Sequence, residues 1–230
     1  MDHALQNKAK KNVAIESLKL IKNKMKIGIG TGSTINFLIE ALKDTSDSKE
    51  LSLAFSSIKS ERLLQDFSYR KIDDKLEESL DLAIDGADYI DHQGNIIKGG
   101  GGALTREKIV IAQAKKTIIV IDESKLCLKP KKVTLPIEIL PFGFMATIQH
   151  LNLAGQLRKN ADGTFFTTDN HNYIFDATIQ FPLHQPLDFH QKIKQTIGVV
   201  ETGLFFIPNM EVWIAFFDEK KGIQKLIFNN

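Results

Sequence analysis

KIGIGTGSTINFLIEAL, residues 26–42, decides the architecture. Lys26–Ile29 reads as a short strand that runs into glycine. From Thr34 to Leu42 the apolar residues Ile35, Leu38, Ile39 and Leu42 recur at i, i+3, i+4 and i+7, the spacing of one helix face. Upstream, residues 4–22 read as a helix with Val13, Leu18 and Ile21 among its apolar positions. Downstream the alternation continues. LSLAF (51–55) is a buried-type strand, followed by a helix from about Ser57. SLDLAI (79–84) is a strand ending on an acidic turn, and NIIK (95–98) is short and extended. Ala103–Ala114 is helical and TIIVI (117–121) is a buried strand. Strands alternating with helices in this way predict α/β architecture, with a mostly parallel sheet covered on both faces.

After residue 130 the character changes. Prolines stand at Pro130, Pro136 and Pro141, and a helix-like run follows at about 143–157. ADGTFFTTDN (161–170) reads as a strand between turns, YIFDATIQF (173–181) as a strand and QPLDFHQKIKQT (185–196) as an amphipathic helix. GLFFI (203–207) and VWIAFF (212–217) read as strands. The pattern predicts a small α+β domain at 131–206, with 1–130 and 207–230 forming the larger domain and the last strands returning to its sheet. No internal repeat, low-complexity tract or long linker interrupts the chain.

Composition excludes more than it assigns. Of 230 residues, 43% are hydrophobic and 25% charged, an ordinary globular balance. Thirty basic against 28 acidic side chains leave a formal charge of +2, so nothing global points to nucleic acid or membrane. The lysines near the N-terminus (Lys8, Lys10, Lys11, Lys19, Lys22, Lys24, Lys26) read as a solvated helix face. Cys127 is the single cysteine, which forbids an intrachain disulfide and fits a reducing compartment. The first dozen residues hold no apolar signal core and no stretch approaches a membrane span, so a cytoplasmic location is expected. The histidines (His3, His92, His150, His171, His184, His190) never approach metal-ligand spacing, and no metal site is expected.

Three segments carry chemistry. In GIGTGST (28–34) the glycines allow a tight turn and close backbone approach, Thr31, Ser33 and Thr34 add hydroxyls, and the N–H groups at the helix start favour an anion. No lysine precedes the Ser/Thr pair as in a Walker loop, and the third glycine comes one residue early for a dinucleotide fingerprint. The next strand ends in Ser56 and Ser57, where a ribose-binding site would want an acid. Phosphate is therefore favoured over NAD, with a plain capped turn as the other reading. DGAD (85–88) places two carboxylates, Asp85 and Asp88, on a glycine turn at a strand end, where proximity can separate an acid from a base; alternatively the aspartates hold local backbone N–H groups. KGGGGALTREK (98–108) has four consecutive glycines, costly unless backbone must approach a ligand. Lys98 can offer charge to a developing oxyanion. Glu107, in the first turns of the following helix, can serve as a general base, or can be a solvated residue beside Arg106 and Lys108.

In this order and spacing, the three segments resemble the signature of A-type ribose-5-phosphate isomerase. DESK (122–125), LPIEILPFG (135–143), TTDN (167–170) and GVVETGLF (198–205) extend the resemblance over nearly the whole chain. It implies a Rossmann-like large domain, a smaller ferredoxin-like α+β domain, and a homodimer or dimer of dimers. It also implies interconversion of D-ribose 5-phosphate and D-ribulose 5-phosphate, in the non-oxidative pentose phosphate pathway, without metal or organic cofactor. Thr31, Gly32, Ser33 and Thr34, then Asp85, Gly86, Ala87 and Asp88, then Lys98, Gly99, Gly100 and Gly101 fall on the family's substrate-binding segments. Glu107 falls on its proton acceptor, Lys125 on a further substrate-contacting lysine, and Lys10 near the position of an N-terminal lysine close to the phosphate. The chain departs from the pattern at Tyr89, where the family often has an acid, and at SSIKS (56–60). Other readings are a sugar-phosphate sensor of transcription, an amino-sugar phosphate isomerase or a coenzyme A transferase on a related scaffold, and a dinucleotide oxidoreductase. The sensor reading lacks a recognition-helix pattern in the N-terminal segment.

Overall fold

The structure, a computed structural model, describes residues 3–44 and 50–228. The helices are α1 (His3–Leu18), α2 (Ser33–Lys43), α3 (Ile58–Leu63), α4 (Leu104–Ala112), α5 (Phe144–Leu151) and α6 (Pro186–Lys194). The strands are β1 (Lys26–Ile29), β2 (Ser52–Phe55), β3 (Arg70–Lys71), β4 (Leu82–Asp85), β5 (Tyr89–Ile90), β6 (Ile96–Ile97), β7 (Thr117–Asp122), β8 (Lys131–Ile139), β9 (Gly155–Leu157), β10 (Tyr173–Phe181), β11 (Val199–Thr202), β12 (Leu204–Phe205), β13 (Met210–Ala215) and β14 (Ile223–Phe228). The chain divides into two compact units, Met1–Ala87 with Arg106–Lys125 and Ile207–Asn230, and Asp88–Thr105 with Leu126–Phe206.

The first unit is Rossmann-like. Its seven-stranded sheet runs β14-β13-β7-β4-β1-β2-β3, parallel throughout except for the antiparallel edge strand β14. β4 and β7 are buried along their whole length, as strands with both faces covered must be. Alternation sorts their side chains. Ile27, Ile29, Leu82, Ile84, Ile118 and Val120 join Val13, Ile35, Leu38, Ile39 and Leu42 of α1 and α2 in one core. Ala54, Leu80 and Val110 belong to a second cluster, to which α4 contributes Val110. Gly28 lets α4 approach: a Cβ there would stand 2.4 Å from Val110 Cγ1. α1 ends at Leu18, short of the expected residue 22. Lys19, Leu20 and Ile21 N–H donate three residues back instead of four, and Ser17 Oγ binds the Ala14 carbonyl at 2.8 Å, a bond that competes with the helix ladder.

The second unit is α+β. β8, α5, β9, β10, α6 and β11 follow one another, and the antiparallel sheet order is β11-β8-β10-β9, the ferredoxin-like arrangement. Leu135, Ile137, Ile139, Phe175, Ala177 and Phe181 form its core with Leu151 of α5 and Ile193 of α6. β5, β6 and β12 make a small antiparallel sheet, and Ile97 and Leu204 join the same core. This pairing is why residues 88–105 group with this unit, where the sequence pattern placed all of 1–130 together with 207–230 in the larger domain. Two expectations are corrected. The helix expected over 143–157 stops at Leu151, because Asn152 adopts a left-handed φ of 49° and the chain turns into β9. ADGTFFTTDN is not a strand but a turn region with isolated bridges, Lys159 to Phe165 and Thr167 to Tyr173.

Candidate active site

In the first unit the strand order reverses between β1 and β4, and ligands of open α/β sheets bind outside the carboxyl ends of the strands at such a switch point. Register places Ile29 beside Ile84, so Gly30 and Asp85 follow as neighbours, with Gly30 N–H donating to the Ile84 carbonyl at 3.0 Å. A side chain at residue 30 has no room, since a Cβ would stand 2.1 Å from Asp85 Cγ. Asp85 is 2% exposed, and its Oδ1 accepts Thr31 N–H at 3.2 Å and Gly86 N–H at 2.7 Å. Asp85 thus stitches the β1 turn to its own.

Thr31 is turned inward. Its hydroxyl donates to Ser57 Oγ at 2.9 Å and lies 2.8 Å from Ser56 Oγ. A hydroxyl carries one proton, so Ser56 must donate to Thr31. Ser57 Oγ then donates to Ser60 Oγ at 3.0 Å, and Ser60 Oγ to the Gly30 carbonyl at 2.8 Å. The chain closes on the glycine turn it started from. Ser57 also caps α3, accepting Ser60 N–H at 3.1 Å. Both donors of Thr31 are therefore committed to neighbouring turns, the N–H to Asp85 and the hydroxyl to Ser57. Ser33 and Thr34 open α2 behind Gly32, which has no side chain to cap the first-turn N–H groups, and no acidic residue occupies that turn. Such a helix start suits an anion.

Glu107 lies in the first turn of α4 and is 3% exposed. Val110, three residues on, is the side chain against Gly28, so Glu107 shares the sheet-facing side of the helix. The helix exits beside Leu80, just before β4, where Leu80 N–H binds the Gln113 carbonyl and Lys115 N–H binds Leu80 O, each at 2.9 Å. Its first turn therefore points toward the carboxyl ends. The solvated-helix alternative for Glu107 is set aside by its burial.

At the end of β7, Asp122 is fully buried, and its Oδ1 accepts the N–H of Ser124 at 3.0 Å and also that residue's hydroxyl. Gln6 of α1 reaches Ser124 Oγ at 3.1 Å. Burial pushes the Lys10 ammonium below its ordinary pKa, the Asp122 carboxylate opposes that shift, and nearby Lys125 adds to it. Lys10 and Lys125 thus share one neighbourhood around Asp122.

In the second unit, Asp88 N–H donates to the Ile97 carbonyl and Lys98 N–H to the Gly203 carbonyl, both at 2.9 Å. Lys98 is 2% exposed, with Nζ 5.6 Å from the Phe205 ring centre. Asp88 Oδ2 accepts Gly100 N–H at 2.8 Å. The sequence reading missed Arg158, whose Nη1 donates to the Gly99 and Gly100 carbonyls, each at 3.0 Å. Nothing local signals it, because its partners are distant in sequence. Ser57 and Ser60 did leave a signal, a serine N-cap with a hydroxyl three residues on.

Rossmann-like and ferredoxin-like units, with glycine turns and carboxylates at strand ends, define a two-unit α/β protein whose parallel sheet has the switch point at which such folds bind small ligands. The sequence model of "Ribose 5-phosphate isomerase A (phosphoriboisomerase A)" matches residues 53–219. Ribose-5-phosphate isomerase A of Protochlamydia amoebophila is 42% identical over 224 residues, 96% of this chain and 95% of that protein. The solved ribose 5-phosphate isomerase A of Methanocaldococcus jannaschii superposes with a TM-score of 0.85 at 30% identity, covering 96% of this chain and 98% of the other. A D-ribose-5-phosphate isomerase solved in complex with phospho-erythronic acid gives 0.83 at 33% identity over the same shares, 96% and 98%. The chain belongs to the ribose-5-phosphate isomerase A family, and it is an isomerase.

Proposed function

We propose that this chain interconverts D-ribose 5-phosphate and D-ribulose 5-phosphate by moving one proton between C2 and C1 through an enediolate, with Glu107 as the base. The observation that carries the assignment is the burial of Glu107, 3% exposed in the first turn of α4. Carboxylates are seldom withdrawn from water without a task or a partner that needs them. Glu107 takes the proton from C2 and returns it to C1, so the group ends the cycle as it began. Charge that develops on oxygen meets Lys98 and the N–H groups of Gly99 and Gly101, while the Gly100 N–H holds Asp88 Oδ2. Asp85 or Asp88 assists ring opening and shuttles hydroxyl protons. Ser33, Thr34 and the first-turn N–H groups of α2 hold the phosphate with Lys125 and Lys10, while Thr31 braces that loop. Anchoring the phosphate, remote from the reacting carbons, positions the sugar against its base. Chain belongs with this reaction to the non-oxidative pentose phosphate pathway.

The test is ketose formation from D-ribose 5-phosphate by EDTA-treated protein, wild type and Glu107→Gln side by side. The expected result is a loss of about 10²–10⁴ in kcat with substrate affinity near normal, the range a general base contributes. Near-normal turnover in the variant removes Glu107 from the role. A homodimer or dimer of dimers in the cytoplasm is proposed with this reading, and light scattering on the purified chain checks the assembly. No helix among the described residues is long and apolar enough to cross a membrane.

A further inference from the structure

We propose that Arg158 is a positioning residue for the reaction, setting the orientation of the peptide groups in the glycine run; this rests on the reading of that run as a source of oxyanion donors. Arg158 Nη1 holds the Gly99 and Gly100 carbonyls, both at 3.0 Å. The other edge of the guanidinium is fixed by Asp176, with Nε to Oδ2 at 2.9 Å and Nη2 to Oδ1 at 2.6 Å. Asp176 sits in the paired strand β10, opposite Pro136 and Gln156, and Arg158 N–H binds the Ile174 carbonyl at 2.8 Å. The Phe166 ring lies 5.6 Å from the guanidinium carbon. The cation is thus held by sheet on one side and grips the loop with the other.

Among the described residues the one cis peptide is Phe181–Pro182, so the glycine peptides are trans. In a trans peptide the carbonyl and the following N–H point in opposite directions. Fixing the Gly99 and Gly100 carbonyls on Arg158 therefore turns the N–H groups of Gly100 and Gly101 away from it. Gly100 obeys, donating to Asp88 Oδ2 at 2.8 Å. The Gly101 N–H is set the same way, on an exposed residue. Gly102 N–H also donates to the Gly99 carbonyl at 2.9 Å, so the hold of Arg158 matters most at the Gly100–Gly101 peptide, where glycines place no Cβ in the way of a flip. A flipped peptide would present a carbonyl oxygen, which repels an oxyanion. A cation on the carbonyls also polarises the N–H groups they are conjugated to. The task calls for arginine: its planar fork serves two carbonyls and a carboxylate at once, and a lysine ammonium cannot.

The experiment measures kcat and KM for D-ribose 5-phosphate in Arg158→Ala, Arg158→Lys, Asp176→Asn and Glu107→Gln, with thermal unfolding of each. Expected is a kcat loss of roughly ten- to a hundredfold in both Arg158 variants, below the ~10²–10³ of a deleted oxyanion donor, with KM little changed. Millimolar guanidinium should restore part of kcat in Arg158→Ala, and Asp176→Asn should lower kcat less than either. If Arg158→Ala does not fold, Arg158→Lys decides. Wild-type kcat in Arg158→Lys, or kcat lost only in proportion to folded protein, overturns the inference. Wild type and Glu107→Gln separate the two failures: if the folded wild type forms no ketose the isomerase reading itself is at fault, an active Glu107→Gln removes only that base, and a dead Glu107→Gln beside Arg158 variants that turn over normally sinks the positioning role alone.

Discussion

Thr31→Val distinguishes a threonine that braces its loop from one that binds the phosphate. Valine keeps the shape and leaves the Thr31 N–H on Asp85 Oδ1 untouched. It deletes the oxygen that accepts from Ser56 and donates to Ser57. Ser57 Oγ keeps Ser60 N–H and its own bond to Ser60 Oγ, so the main cost falls on Ser56, whose side chain is 0% exposed and loses its acceptor. An orphaned buried donor costs about 1–3 kcal/mol. At roughly 2–4 °C per kcal/mol for a chain of this size, Tm should fall by about 2–12 °C. KM should move little, because the first-turn N–H groups of α2 remain. If the hydroxyl instead bound the phosphate, its loss would remove about 1.5–3 kcal/mol of charged hydrogen bond and raise KM by roughly ten- to a hundredfold or more. Thermal unfolding and steady-state kinetics on the same preparation decide the matter. An unchanged Tm with KM raised tenfold or more, on the order just derived, would refute the inward-facing role.

Gly30→Ala should be far more damaging than its size suggests, because the new Cβ would stand 2.1 Å from Asp85 Cγ and one of the two strand ends must move; soluble yield and kcat should both collapse, and normal activity would show that the turns slide apart freely. Glu78 accepts a two-pronged bond from Arg70, at 2.8 and 2.9 Å, and with Lys26 this lowers its pKa from 4.5 to about 2. Its folded-state pKa lies below the unfolded one, so its stabilisation is complete above pH 4.5 and is lost as pH falls through about 2. Glu78→Gln should therefore lower the urea midpoint at neutral pH and match wild type near pH 2; equal midpoints at neutral pH would count against the pair. Cys127 is 1% exposed and burial raises its thiol pKa, with Lys131 opposing and Asp91 adding. Alkylation by iodoacetamide at mildly alkaline pH should be at least about tenfold slower in the native protein than in urea, and equal rates would contradict its burial.

Much of the large sheet was legible in sequence. The i, i+3, i+4, i+7 pattern of Ile35 to Leu42 and the unbroken apolar runs of β4 and β7 announce their elements, since strands covered on both faces need no polar alternation. The nine-residue strand β8 was not, because Pro136 stands inside it opposite Asp176, where a strand reading is normally abandoned. β14 was missed because it is an edge strand whose residues are half-buried or exposed. In the candidate site, Glu107, Asp85, Lys98 and the glycine run were picked out from chemistry and position; Glu107, Asp85 and Lys98 are buried, whereas Gly100 and Gly101 are exposed. Thr31 was read as a donor because the sequence shows a hydroxyl but not the direction in which it points.

The sequence by itself determined the family, the glycine turns, the helix starts and the side-chain types, because these follow from local backbone freedom and from periodicities of a few residues. Only the tertiary structure decided that Gly30 lies against Asp85, that the Thr31 hydroxyl runs through Ser57 and Ser60 back to the Gly30 carbonyl, and that Arg158 holds two glycine carbonyls. Each of those depends on strand register and on partners dozens of residues away. A donor finds its acceptor in space, and no local pattern records where the rest of the chain has placed it.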